Sequence, residues 1–103
     1  MRIISQDGTL DYPYEESVIF RDERNEKHFI KIQLSGDTET PTVAEYSTEE
    51  KAIKAMEELR YAYLCHNQYK KGVPVPKGIE LTKEMANALC GVFRFPKDKE
   101  VEP

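Results

Sequence analysis

Tyr46-Ser47-Thr48-Glu49-Glu50-Lys51-Ala52-Ile53-Lys54-Ala55-Met56-Glu57-Glu58-Leu59-Arg60 is the stretch on which the fold turns. A β-prone segment stops at Ser47, and Ser47-Thr48-Glu49-Glu50 reads as a capping box. The Ser47 hydroxyl would accept from the Glu50 amide while the Glu50 carboxylate reaches back to the Ser47 amide. Behind the box, Ala52, Met56, Leu59 and Tyr63 recur at helical spacing, with Ile53 and Ala55 widening the apolar stripe. Acids in the first turn and Arg60 with later cations toward the end agree with the helix dipole. A helix of this kind lies on a sheet.

The sheet is legible upstream. Lys27 to Leu34 alternates Ile30, Ile32 and Leu34 with Lys31 and Gln33, which predicts a strand with one buried face. Ser17 to Asp22 predicts its partner, joined to it through the polar hairpin Glu23-Arg24-Asn25-Glu26. After the loop Ser35 to Pro41, Thr42 to Tyr46 completes an antiparallel meander. Arg2 to Ser5 reads as a short strand ending at the turn Asp7-Gly8. Pro13, set among Asp11, Tyr12, Tyr14 and Glu15, restricts that segment to a loop or a sheet edge.

Downstream, helical pattern runs to about Tyr69, and Gly72-Val73-Pro74-Val75-Pro76-Lys77-Gly78 stops it. Thr82 can cap a second, short helix through Cys90, with Gly91 as its stop. Val92 to Phe95 reads as a last strand ended by Pro96, and Lys97 to Pro103 as a frayed tail. The predicted fold is α+β: an antiparallel meander sheet of three to five strands, one long helix packed on it and a second short helix, in a single domain spanning 1–103.

Composition narrows function mainly by exclusion. The chain has 103 residues, 33% of them charged, and a net charge of −4. That charge is unevenly spread: residues 1–50 carry 12 acids against 5 bases, and residues 51–103 carry 7 acids against 10 bases. No window is apolar for long enough to span a bilayer, and Met1 to Gly8 lacks the apolar stretch of a signal peptide, so the expected compartment is the cytoplasm. Cys65 and Cys90 are then expected as free thiols.

The opening Met1-Arg2-Ile3-Ile4-Ser5-Gln6-Asp7-Gly8, Pro13-Tyr14-Glu15, the Glu45 to Ala52 transition and the closing Phe93-Arg94-Phe95-Pro96 carry a resemblance. In these residues the chain resembles a group of small uncharacterised proteins of Gram-positive bacteria, their prophages and mobile elements. The likeness covers both ends and the middle but not Val73 to Leu89. It implies a cytosolic accessory protein, phage-borne in some settings, and it supplies no catalytic residue.

Chemistry-bearing motifs are sparse. Cys65 and His66 are adjacent, and on a helix they point about 100° apart, so they suit neither one metal nor a thiolate–imidazole couple. The glycines are isolated and form no phosphate loop. No metal, no cofactor and no enzymatic activity are expected. The sharpest functional candidate is the acid-free run from Leu59 to Ile79, with Arg60, Tyr69, Lys70, Lys71 and Lys77 as binding residues. Its cations and tyrosines suit a nucleic acid, although cations at a helix end also simply complement the dipole.

The acids Asp7, Asp11, Glu15, Glu16, Asp22, Glu23, Glu26, Asp37 and Glu39 offer a second candidate, since together they could imitate a phosphate track for a basic partner. Against that, such charges also keep loops and strand edges soluble. Tyr12, Tyr14 and Tyr69 would serve as interface anchors if exposed. The leading expectation is a small non-enzymatic binding or regulatory protein acting on a protein partner. A mobile-element inhibitor, including an anti-CRISPR-type protein, is its specific version, and a nucleic-acid-associated accessory protein is the alternative.

Overall fold

The computed structural model describes residues 1–70 and 91–101, with side chains in the long helix described as far as Asn67. The strands are β1 (Arg2–Ile4), β2 (Asp11–Pro13), β3 (Ser17–Arg24), β4 (Lys27–Leu34), β5 (Thr42–Tyr46) and β6 (Val92–Arg94), and the helix α1 is Glu49–Lys70. The fold is α+β, as the periodicity predicts. Its strands form two three-stranded sheets, ordered β3-β4-β5 and β2-β1-β6.

The first sheet is the meander, with β4 and β5 at the predicted residues and β3 running two residues further than read, to Arg24. Its first connection is a two-residue turn in which Asn25 and Glu26 both take positive φ, 52° and 66°. That geometry matches the twist of a hairpin; Asn tolerates it, whereas a Glu there is strained by about 1 kcal/mol. β4 and β5 pair from His28↔Tyr46 to Ile30↔Ala44, then a bulge shifts Lys31 onto Thr42.

In the second sheet β1 is central. It pairs antiparallel with β2, which is an edge strand as Pro13 requires. On its other side it pairs parallel with β6, from Arg2↔Val92 to Ile4↔Arg94.

Gln6 joins the two sheets. Its amide donates to the Val43 carbonyl at 2.7 Å, its side-chain Nε2 donates to the carbonyls of Glu45 at 3.2 Å and Pro96 at 3.0 Å, and its Oε1 accepts from the Glu45 amide at 3.0 Å. The outer edge of β5 is thereby occupied by one residue acting as a short strand. One hydrophobic cluster runs through both sheets and the helix, drawing on Ile3, Ile30, Ile32, Tyr46, Leu59 and Phe95 among others. The buried Tyr46 keeps its polar end satisfied by donating to the Pro96 carbonyl at 2.7 Å.

Two expectations are corrected here. The helix is capped one residue later than the Ser47 box predicts: the Lys51 amide donates to Thr48 Oγ1 at 3.2 Å. Ser47 instead gives its amide, at 2.8 Å, and its hydroxyl, at 3.0 Å, to the Asp98 carboxylate. The Asp98 carboxylate, from the far end of the chain, takes the Ser47 amide that the local Glu50 would have accepted, and its charge sits favourably at the positive end of α1. The tail, secondly, is not frayed through Val101: Asp98–Glu100 form a 3-10 turn and Val101 is only 3% exposed within the core. The short helix expected from Thr82 to Cys90 lies outside the described residues.

Candidate functional site

The helix α1 buries one stripe and exposes another. Ala52, Ala55, Leu59 and Ala62 face the core, with Met56 and Tyr63 half-buried beside them. This is the predicted stripe rotated slightly, because Ala62 joins it at one margin and Ile53 falls outside it, 36% exposed. Four small or flat side chains at one-turn spacing let the helix lie close over β4 and β5.

Tyr63 does not reach solvent freely, since it stacks on Tyr14 with ring centroids 4.3 Å apart and planes 30° apart. Tyr12 and Tyr14 both pack against the core, so the reading of them as exposed anchors is corrected. Burial pushes the Tyr14 phenol above its ordinary value, with Tyr63 adding to the rise and the nearby Arg60 charge opposing it.

At about 100° per residue, Ile53, Glu57, Arg60, Tyr61 and Leu64 share an arc on the opposite side of α1. Tyr61 is 61% exposed and Leu64 is 56% exposed, and Arg60 and Glu57 lie in solvent beside them. An outward face needs no large apolar groups to fold, so a tyrosine and a leucine adjacent on it are available for contact. The Cys65 thiol, one turn beyond Tyr61, hydrogen-bonds with its phenol and raises it. Cys65 is a free, half-buried thiol.

Of the sequence-predicted site residues, Arg60 is therefore at the surface beside this face. Tyr69 and Lys70 are in the last turn of α1 with side chains outside the described residues, and Lys71 and Lys77 lie outside the described residues altogether. Tyr61 and Leu64 were not singled out from sequence as site residues, because apolar residues in an amphipathic helix are ordinarily assigned to its core.

Three of the acids read as a phosphate-like track, Asp7, Asp11 and Asp22, are held by local partners. Asp11 pairs with Arg2 at 2.8 Å, and Asp22 lies between Arg24 at 3.1 Å and Lys31 at 3.3 Å. Asp7 is folded onto Ser5 and Thr9, whose hydrogen bonds hold its carboxyl at about 2. These carboxylates are spent on local turns and cross-strand pairs.

An open cleft of about 570 Å³ lies between the hairpin and the tail, lined by Gln6, Lys27, Glu45, Ser47, Lys97 and Asp98 among others. Its polar groups are already committed: Gln6 to the backbone of Glu45 and Pro96, Lys27 to Glu45 at 3.5 Å, and Asp98 to Ser47 and Lys51. Among the described residues no group of three His, Cys, Asp or Glu side chains could hold a metal ion. No helix among them is long and apolar enough to cross a membrane. Set against known proteins, the chain matches no family model, no curated protein and no solved structure.

Proposed function

We propose that this chain is a small, non-enzymatic regulatory protein of the cytoplasm that binds a protein partner through the outward face of α1. The observation that carries the reading is the adjacent exposure of Tyr61 and Leu64 on a 22-residue helix whose opposite face already covers the sheet. A rigid helix presenting Ile53 and, two turns later, Tyr61 and Leu64 on one face is the ligand half of helix-in-groove recognition. Tyrosine is a favoured anchor in such interfaces, since a large ring is desolvated at little cost in side-chain entropy. Arg60 and Glu57 would lie at the polar rim and set orientation more than affinity. In the mobile-element setting that the sequence resemblance implies, the partner is a component of a host system and the chain its inhibitor, an anti-CRISPR-type protein being one version.

The test compares capture by the wild-type chain with capture by a Tyr61→Glu, Leu64→Glu double variant in extract of cells that express the protein. The double variant should melt within about 2 °C of wild type, because both side chains are outside the core, and should lose the captured protein at least tenfold. Equal recovery by both proteins overturns the reading. Salt-sensitive retention of RNA or DNA that vanishes in a Lys70→Glu, Lys71→Glu variant would instead favour the nucleic-acid alternative.

A further inference from the structure

The outer side of β3 is bare among the described residues, and its geometry is that of a pairing surface. The two-residue turn at Asn25 and Glu26 makes Arg24↔Lys27 a hydrogen-bonded pair. By alternation, the amides and carbonyls of Ile19, Arg21 and Glu23 then point away from β4, while the Ser17 amide at the start of the strand donates to the Tyr14 carbonyl. All of β3 pairs with β4 in unbroken register, from Ser17↔Leu34 to Arg24↔Lys27. The strand contains no proline, and Val18 on it is 61% exposed. The other edge of the same sheet is treated differently, because β5 is bulged and Gln6 fills its outer side. Among the described residues, then, one edge of the sheet is closed and the longer, flatter one is open.

The charges along the strand indicate what fits there. Two copies related by a two-fold axis perpendicular to the sheet pair antiparallel with like faces aligned, so some residue of β3 must sit opposite itself. With Arg21 at that centre, two guanidiniums oppose each other; with Asp22 or Glu23 there, two carboxylates do. With Ile19 at the centre β3 overlaps its copy only from Ser17 to Arg21, because Tyr14–Glu16 form a 3-10 turn and not strand, and with Val18 there the overlap is shorter still. With Phe20 at the centre no like charges meet, Ile19 facing Arg21 and Val18 facing Asp22. This register gives β3 its longest overlap free of like-charge pairs. Phe20 is half-buried on the sheet face away from α1. In this arrangement it forms a non-hydrogen-bonded pair, the kind in which side chains approach most closely.

We propose that β3 pairs antiparallel with β3 of a second copy of this chain, in the register that sets Phe20 against Phe20, so that two meanders form one continuous sheet. The outward amides of Ile19 and Arg21 bond the facing carbonyls, and Phe20 of each copy covers the other.

Sedimentation of the wild-type chain over a wide concentration range should show a shift from 11.9 kDa toward twice that mass. Phe20→Glu, which sets two carboxylates face to face while each lies opposite its own chain's Lys31, should raise the dissociation constant at least tenfold. Cross-linking fixes the register. In a Cys65→Ser, Cys90→Ser background, mild oxidation of Phe20→Cys should give a covalent dimer, because facing non-hydrogen-bonded positions suit disulfide geometry. Val18→Cys, which faces Asp22, should form no covalent dimer under the same oxidation. A wild-type chain that is monomeric at every concentration overturns the proposal, as does equal cross-linking at positions 18 and 20. Cross-linking of Phe20→Cys to a different protein in cell extract, with no dimer, would also overturn it and assign the edge to that partner.

Discussion

Truncating Val101 to alanine removes two methyl groups from a side chain that is 3% exposed and belongs to the same cluster as Tyr46, Leu59 and Phe95. The transfer term is about 0.8 kcal/mol for each buried carbon, or about 1.6 kcal/mol in all. A two-carbon void that the surrounding β-structure does not fill adds up to about 1 kcal/mol. The expected loss is therefore about 2 kcal/mol, which in a domain of this size lowers the melting temperature by roughly 8–16 °C. Urea unfolding followed by far-ultraviolet circular dichroism measures it directly, and the slope of the transition should not change. A loss below about 0.5 kcal/mol with that slope intact would mean that Val101 does not pack in the core and that the last turn contributes nothing to the fold.

The Asp98 carboxyl is held below its ordinary range first by the Ser47 amide; burial opposes this, and the Ser47 hydroxyl and Lys51 add to the lowering. A depressed native value gives stability that is fully present above the unfolded value near 4 and is lost as pH falls through the native value. Asp98→Asn should therefore cost about 0.5–1 kcal/mol at pH 7, the lower part of the range for a lost helix-terminal acceptor because the side chain is 42% exposed. It should also flatten the acid limb of a stability–pH curve, and an unchanged limb below pH 4 would refute the assignment. Tyr46→Phe removes the shorter, 2.7 Å donor of the Pro96 carbonyl, which keeps Gln6 Nε2 at 3.0 Å, and should cost about 0.5–1.5 kcal/mol in denaturant unfolding. Gly91→Ala meets a φ of 89° and a Cβ placed 3.1 Å from the His66 ring. It should lower stability by about 1–2 kcal/mol, and a neutral result would mean that Gly91 does not adopt this conformation.

Local signals carried the meander and the helix. β4 and β5 announce themselves through strict alternation and polar loops, and their ends coincide with the residues read. Contacts made across the chain were not legible. The parallel pairing of Ile3 with Phe93 has no neighbouring sequence signal, and so the division into two sheets could not be read. Asp98 reaches Ser47 from 51 residues away, which is why the capping box named the wrong acceptor and the tail looked free. The helix face followed the same logic. Arg60 stood out by charge, while Tyr61 and Leu64 did not, because only the packing of Ala55 and Ala62 fixes which side of α1 turns outward.

Site-specific photo-cross-linking tests the central claim most directly, with a benzophenone amino acid placed at Leu64 in one variant and at Lys27, on the far hairpin, in another. In cells that express the protein, the Leu64 probe should form one protein adduct of defined mass that an excess of wild-type chain competes away, and the Lys27 probe should not form it. No adduct at Leu64, or the same adducts from both positions, would contradict the account that the outward face of α1 binds a protein partner.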